Sequence, residues 1–293
     1  MKKSCTALGM AIIIIFLFPI SSFCMGGNNF LKGISFKLKG GYQYLHIGDL
    51  NTYMSLLKEY YENYSDDWRV YTINELEEFH HGSNSGVEVS FTFTSHLRGI
   101  IGIEYTHLKS ESSVKFPDQN TTQVWKHKIE SFPITLGVDY FFPLSKRSSF
   151  YLRAGIGYYF AKINKYYNSQ KINAWDYYWE ENMRSSDFGV NGGFGFEYSL
   201  SKNIYLTLEC LGTYAKINEF RGNYSGIGPE GYYYKDEGIF YSWEELLQNW
   251  GYIIPHITLG KPESAWYRRN IREFVLDLSG VSLMLGLRVK LFK

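Results

Sequence analysis

From residue 34 onward, the chain repeatedly alternates apolar side chains with small, polar or charged ones at a period of two residues. Successive side chains of a β-strand point to opposite faces of the sheet, so this period predicts strands with one apolar and one polar face. The clearest segment is VSLMLGLRVKL at 281–291, in which every odd-numbered residue is Val or Leu. A chain composed largely of such segments is expected to be all-β.

The alternation predicts eight antiparallel strands in up-and-down order. They are expected at about 33–47, 86–94, 98–108, 125–142, 149–163, 188–198, 204–217 and 277–292. Three connections are short and four are long, which is the asymmetry between the periplasmic turns and external loops of a transmembrane β-barrel. Pro133 lies inside the fourth strand, and because proline cannot donate to the ladder, a local bulge is predicted there.

The two faces of these strands carry different chemistry. The apolar faces hold almost no charge, whereas the opposite faces hold Lys37, Lys39, Glu88, Glu104, Asp139, Arg153, Glu197, Glu209, Arg288 and Lys290. Glycines such as Gly155 and Gly193 share the parity of these ions. The interior of an eight-stranded barrel is just wide enough for side chains. The pattern therefore predicts a packed lumen network of paired charges, and a water-filled or gated lumen is the alternative.

Aromatic residues make up 18% of the chain, and many lie in the long connections. Exposed Tyr and Trp offer large contact areas at a low entropic cost. The candidates for ligand contacts in the loops are Trp68, Tyr71, Trp175, Tyr177, Trp179, Tyr233 and Trp243. One hypothesis is adhesion, or binding of a glycan or peptide. The other is that these rings pack the loops into a cap and lie at the outer lipid boundary.

Ser242 and Glu245 have the spacing of a capping box, which predicts a short helix over 244–248 in the last loop. Such a helix would stabilise the cap without contacting a ligand.

The first 24 residues predict a secretory signal peptide. Lys2 and Lys3 precede an apolar run at 11–20, which is too short for a spanning helix but fits a signal sequence. Cleavage is expected after Cys24, leaving 25–293 as a single barrel domain; lipidation of Cys24 is the competing interpretation. Cys210 would then be alone, so neither an intramolecular disulfide nor a thiolate metal site is expected.

Three stretches carry a resemblance to a known family: FPITLGVDYFF at 132–142, FYLRAGIGYYF at 150–160 and LSGVSLMLGLRVKLF at 278–292. They resemble the small outer-membrane β-barrel family, the relatives of the OmpA transmembrane domain. The likeness covers the strands and not the loops. It implies Sec-dependent export, insertion by the barrel-assembly machinery, and contact with lipid and lipopolysaccharide in the outer membrane of a Gram-negative bacterium.

One pair of residues has the types needed for nucleophilic catalysis. His81 and Ser83 would share one face of a strand, as in barrel-shaped lipid A deacylases, which also need a carboxylate such as Glu88. Here the pair is expected in a loop before its strand, and Glu88 has inner parity. Asp66 and Asp67 are adjacent, so in a strand they would face opposite ways rather than form the paired acids of a protease. No catalytic site is predicted.

No metal or cofactor site is predicted either. Glu77, Glu78, His80 and His81 could gather a metal, but their spacing is not diagnostic. No glycine-rich phosphate loop lies at a strand–helix junction. The 30 Lys and Arg residues nearly cancel the 29 Asp and Glu residues, so nothing favours nucleic acid as a partner.

We therefore expect a non-enzymatic outer-membrane β-barrel that presents aromatic-rich surface loops. Its role would be envelope structure, adhesion or interaction with host or neighbouring cells. A channel for small solutes is the first alternative, and a lipid-modifying enzyme is the second.

Overall fold

The computed structural model describes residues 33–68, 72–74, 76, 78–116, 120–171, 176–228, 230–247 and 252–291, so the expected signal peptide lies outside the described residues. In chain order the elements are β1 (Ile34–Leu45), α1 (Asp49–Trp68), β2 (Thr72–Asn74), β3 (His81–Thr92), β4 (Leu97–Phe116), β5 (Thr121–Pro143), β6 (Ser148–Lys171), β7 (Tyr177–Ser199), β8 (Ile204–Tyr214), β9 (Lys216–Ile217), β10 (Arg221–Ile227), β11 (Tyr233–Leu247), β12 (Tyr252–Leu259), β13 (Arg268–Glu273), β14 (Leu276–Asp277) and β15 (Gly280–Lys290).

Eight of the strands pair in a closed ring. The antiparallel pairings run β1–β3–β4–β5–β6–β7–β8–β15, and β15 pairs back with β1. Because each of these strands has a neighbour on both sides, other strands can satisfy the backbone hydrogen bonds of the ring. The result is a barrel-like antiparallel sheet without an open edge along the ring.

Side chains alternate between the two faces of the ring, as the sequence period requires. On β15, Leu285 and Leu287 are 56% and 44% exposed, whereas Met284 and Arg288 are buried. The other ring strands also expose aliphatic and aromatic side chains on the outer face. The outer wall is therefore apolar and suited to contact with lipid, and the inner wall is polar.

The short turns at 93–96, 144–147 and 200–203 lie at one rim of the ring, and β4 to β7 extend past the other rim. A second, apolar core fills this extension. Leu50, Met54 and Leu57 of α1 face it from one side of the helix. Among the described residues, no helix has both the length and the apolar character needed to cross a membrane.

A side sheet branches from β7. The lower part of β7 pairs with β8, whereas its upper part, over 178–184, pairs with β10. β11 continues the side sheet and pairs in turn with β12 and β13. Phe220, Phe240 and Phe274 are fully buried and join the side sheet to the apolar core.

The predicted count of eight strands is not confirmed, because the described residues contain further strands outside the ring. Two of the predicted long loops are mostly strand: β4 and β5 leave 117–120 between them, and β6 and β7 leave 172–176. Segments such as RGNYSGI of β10 have polar residues on both faces. Pairing with a neighbouring strand, and not an apolar alternation, makes them β-structure.

The bulge predicted at Pro133 is wrong. β5 keeps one register with β6 over its whole length, and its register with β4 is the same on both sides of Pro133. The proline instead lies where the β4–β5 pairing is interrupted, between Ile103↔Ile134 and Thr106↔Ser131. The missing amide hydrogen is accommodated by a gap in the ladder rather than by an extra residue.

The helix predicted from Ser242 and Glu245 is also wrong. Both residues lie in β11, opposite Ile257 and Ile254 of β12. β11 is bonded to β12 on one side and to β13 on the other. Two ladders of backbone hydrogen bonds outweigh a local capping motif.

Candidate functional site

A network of buried ion pairs centred on Arg153 occupies the lumen of the ring. The guanidinium donates to both oxygens of Asp139, at 2.8 and 3.1 Å, and to both oxygens of Glu88, at 2.7 and 3.2 Å. Glu209 Oε1 lies 3.2 Å from the same group. Because a planar guanidinium matches carboxylate geometry, these contacts fix Arg153 across the ring and tie β6 to β3, β5 and β8.

Two lysines extend this network. Lys37 Nζ pairs with Glu88 and, at 2.5 Å, with Glu209. Lys39 Nζ lies 2.5 Å from Glu88 and 2.5 Å from Glu104. Each buried charge therefore has an opposite charge in contact, which is the condition for an ionic cluster in a low-dielectric interior.

A second cluster lies nearer the rim with the short turns. Arg288 donates to Glu197 at 2.5 and 2.8 Å, and Arg98 Nη1 lies 3.3 Å from the same carboxylate. The sequence analysis missed Arg98, although Arg98 begins the strand predicted at 98–108 and has the parity of Glu104. Lys290, which was predicted for the network, is half-buried and forms no ion pair with a described residue.

A small polar cavity of about 40 Å³ lies beside the Arg153 network. Three buried atoms on its walls, Gln43 Nε2, Asn84 Oδ1 and Ser131 Oγ, have no hydrogen-bond partner among the described residues. A polar cavity of this size can hold a few water molecules. In the part of the lumen that the structure describes, buried ion pairs and this small polar cavity therefore lie side by side.

A groove of about 740 Å³ lies at the rim opposite the short turns, with β6, β7, β10 and β11 on one side and β12 on the other. Its floor includes a cross-strand row of Lys165, Glu181, Tyr224 and Asp236, one residue each from β6, β7, β10 and β11. Lys165 Nζ donates to Glu181 Oε2 at 2.7 Å. Burial raises the pKa of the Tyr224 phenol, so its hydroxyl is neutral and can donate at neutral pH.

The next row, farther from the ring, is aromatic: Tyr167, Trp179, Gly226 and Tyr234. The Tyr167 and Trp179 rings stack with their centroids 4.1 Å apart. Gly226 leaves a gap between Trp179 and Tyr234. A Cβ atom there would lie 2.2 Å from the Tyr178 carbonyl oxygen, so the close approach of β7 and β10 requires glycine.

The wall facing this floor comes from β12, where His256 and Thr258 line the groove. The His256 ring stacks on Trp243 with centroids 4.1 Å apart, and burial lowers the pKa of His256, so the imidazole is neutral at pH 7. Its Nε2 lies 3.2 Å from Glu245 Oε2 without hydrogen-bond alignment. The groove thus combines aromatic faces with nearby hydrogen-bonding groups, which suits polar ligands that also have an apolar face.

The predicted loop aromatics fall into different environments. Trp179 lies on the groove floor, and the Tyr177 ring is next to it, with centroids 5.7 Å apart. Trp243 is buried beneath the groove wall, and Tyr233 is 64% exposed. Three more candidates lie outside the residues or side chains that the structure describes: the Trp68 side chain, Tyr71 and Trp175.

A sequence profile of the outer membrane protein beta-barrel domain matches residues 36–235, well over half of the chain. The chain belongs to this family. Membership confirms the predicted resemblance and places the protein in the outer membrane of a Gram-negative bacterium. The chain also resembles the outer membrane protein OprG from Pseudomonas aeruginosa, with a TM-score of 0.35 and 12% identity over 89% of this chain and 98% of that one. No curated protein matches the chain.

The pair His81 and Ser83 was expected in a loop of this outer membrane barrel. That prediction is wrong, because both residues lie in β3. Both are exposed, and the His81 ring stacks on Tyr42 with centroids 5.4 Å apart. No hydrogen bond joins His81 to Ser83 in the described structure, and Glu88 is held in the lumen by Arg153.

The register brings a different histidine to Ser83. Ser83, His107 and Glu130 are successive cross-strand neighbours on β3, β4 and β5. These are the residue types of a hydrolase triad, but Glu130 accepts a 2.7 Å hydrogen bond from Tyr105 rather than from His107. In the described structure His107 makes no hydrogen bond to Ser83, which is the contact that a general base needs to activate a serine.

The described part of this barrel contains no group of three or more His, Cys, Asp or Glu residues placed to hold a metal. Of the four residues considered from the sequence, Glu77 lies outside the described residues, and Glu78 pairs with His80 at 3.0 Å. Cys210 is a free, half-buried thiol on β8.

Proposed function

We propose that this protein is a non-enzymatic outer-membrane barrel whose surface groove binds a saccharide or a similar polar ligand with an apolar face. The observation that carries the proposal is the pair of rows on the groove floor. Trp179 and Tyr234 offer flat rings on either side of Gly226, and Glu181, Tyr224 and Asp236 lie next to them. Stacking on a ring together with hydrogen bonds from neighbouring polar groups is how such ligands are held.

In this proposal the ring is an eight-stranded transmembrane barrel, and the groove faces the outside of the cell. The short turns at 93–96, 144–147 and 200–203 would be periplasmic, and the extension with α1 and the side sheet would be external. Export through the Sec pathway and insertion by the barrel-assembly machinery belong to the same proposal. Host or neighbouring cell surfaces would supply the ligand.

We expect Tyr234→Ala to weaken ligand binding roughly tenfold or more, because an aromatic contact in a pocket contributes on the order of 2 kcal/mol. The purified full-length protein in detergent is first screened on an array of bacterial and host oligosaccharides. The best glycan is then titrated against each variant. Tyr234 is 46% exposed, so its loss should leave the fold intact.

Tyr233→Ala is the matched control, since Tyr233 is the adjacent residue of β11, is 64% exposed and does not line the groove. Binding by this variant should equal that of the wild type. Absence of any glycan binding, or equal losses in both variants, would contradict the proposal.

The packed lumen predicts that the wild-type protein does not conduct. In a planar lipid bilayer we expect no steady single-channel current, because the Arg153 network and the Arg288–Glu197 pair cross the interior at two levels. A reproducible open level in the wild type would instead favour the small-solute channel.

A further inference from the structure

Three cations lie side by side on the outer face of the wall. Lys162 on β6 is the cross-strand neighbour of Arg184 on β7, which in turn is the neighbour of Arg221 on β10. All three are exposed. Directly opposed side chains have Cβ atoms about 4.5–5.5 Å apart, and like charges in such positions destabilise a sheet. The arrangement therefore has a stability cost that an anionic partner would remove.

The described part of the chain does not supply that partner, since no described carboxylate lies within ion-pair distance of Lys162, Arg184 or Arg221. Glu130, the other cross-strand neighbour of Lys162, interacts electrostatically with this lysine, but its carboxylate is already bound by Lys128 at 2.9 Å and by the Tyr105 hydroxyl at 2.7 Å. The positive charge of the row remains available to a molecule outside the chain.

The row lies directly above the lipid face. On β6, Phe160 precedes Lys162 by two residues on the same face and is 44% exposed. On β7, Phe188 follows Arg184 by four residues and is 53% exposed. Two residues of a strand advance about 7 Å, so the cations lie within a side chain's length of the apolar wall. This is the level of the lipid headgroups, where phosphate is the abundant anion.

The cations open onto a recess of about 760 Å³ on the outer side of the sheet. The next row away from the membrane, which also lines the recess, contains Asn182, Asn223 and Glu237. Guanidinium groups bind phosphate oxygens through paired hydrogen bonds, and amides exchange hydrogen bonds with hydroxyl groups. The recess thus has phosphate-binding groups near the membrane and hydroxyl-binding groups farther out.

We infer that Lys162, Arg184 and Arg221 bind the phosphate of a phosphorylated glycolipid in the outer leaflet, whose sugar ring lies against Asn182 and Asn223. This site goes beyond the proposed groove and shares no residue with it. It depends on the outer-membrane location and not on the identity of the groove ligand.

The test is a titration of the full-length protein in mild detergent with bisphosphorylated lipid A, read by native mass spectrometry and by thermal unfolding. In the triple variant Lys162→Gln, Arg184→Gln, Arg221→Gln we expect the half-saturating lipid concentration to rise on the order of tenfold. The increase in Tm at a given lipid concentration should also be smaller than in the wild type. Without lipid A, the triple variant should be at least as stable as the wild type, because the repulsion within the row is gone.

A second triple variant, Lys146→Gln, Arg147→Gln, Lys202→Gln, is the charge-matched control. Its cations lie in the short turns at the opposite rim, and lipid A binding should match the wild type. Dephosphorylated lipid A should bind the wild type as weakly as bisphosphorylated lipid A binds the first variant. Free inorganic phosphate should not displace lipid A at equal concentration.

Unchanged lipid A affinity in the first triple variant would overturn the inference. Displacement by phosphate at equal concentration would also overturn it, since the site would then serve a free anion. If the triple variant does not fold, judged by gel mobility before and after boiling, Arg184→Gln and Arg221→Gln are tested singly. Each is expected to weaken binding roughly threefold, and no change in either contradicts the inference.

Discussion

Replacing Arg153 with alanine is expected to lower the free energy of unfolding by about 3–5 kcal/mol. The guanidinium contacts Asp139, Glu88 and Glu209, all of which are buried. Its removal leaves these carboxylates in the lumen with too few cations, and the chain must desolvate negative charge without compensation. Urea titration of the refolded protein in detergent measures the change. The temperature at which the folded gel band is lost should fall with it.

Arg147→Ala is the control for a lost arginine, because Arg147 lies in an exposed turn and its removal should change stability little. Arg153→Lys should fall between alanine and the wild type, since an ammonium group cannot make the paired hydrogen bonds of a guanidinium. A stability for Arg153→Ala within error of Arg147→Ala would mean that the lumen charges are solvated, and the packed-lumen interpretation would have to be abandoned.

The second large effect is expected at Gly41, in the seam that closes the ring. A Cβ atom on residue 41 would lie 2.0 Å from Leu283 O and 2.8 Å from Met284 Cα. Both are backbone atoms of β15, so Gly41→Ala forces β1 and β15 apart at their pairing. Overpacking of this kind costs about 1–3 kcal/mol or more. Because the seam completes the ring, we expect a lower yield of heat-modifiable folded protein in outer membranes.

The neighbouring glycine is the matched control. A Cβ atom on Gly40 would meet Asn84 O at 3.8 Å, which is ordinary contact. Gly40→Ala should therefore assemble like the wild type. If the Gly41→Ala yield equals the Gly40→Ala yield, the two strands have more freedom at the seam than the structure shows.

The ring and the two binding surfaces lie in different parts of the molecule. The ring, closed by the β1–β15 seam and crossed by the Arg153 network, provides a rigid base. β6 and β7 continue from that base into the groove floor and also carry the Lys162–Arg184 row on the outer face. Binding variants in the groove or on the cationic row should leave the stability of the ring unchanged, and ring variants should affect both sites together.

The sequence alone determined the all-β class and the barrel family, and both are confirmed by the fold and the family match. A strand between lipid and a narrow interior needs apolar side chains on one face and polar side chains on the other. Apolar and polar residues therefore alternate along its sequence. The same alternation predicted that Lys37, Glu88 and Arg153 share the inner face. It could not show which carboxylate each cation contacts, because that depends on the register between strands.

Only the tertiary structure decided the side sheet, the groove and the cationic row. β10 and the first half of β11 are polar on both faces, so no period distinguished them from loops. Lys165, Glu181, Tyr224 and Asp236 come from four strands and meet only because of the cross-strand register. Lys162, Arg184 and Arg221 meet for the same reason. Register is set by pairing between segments far apart in the chain, and a single strand's residue pattern does not contain it.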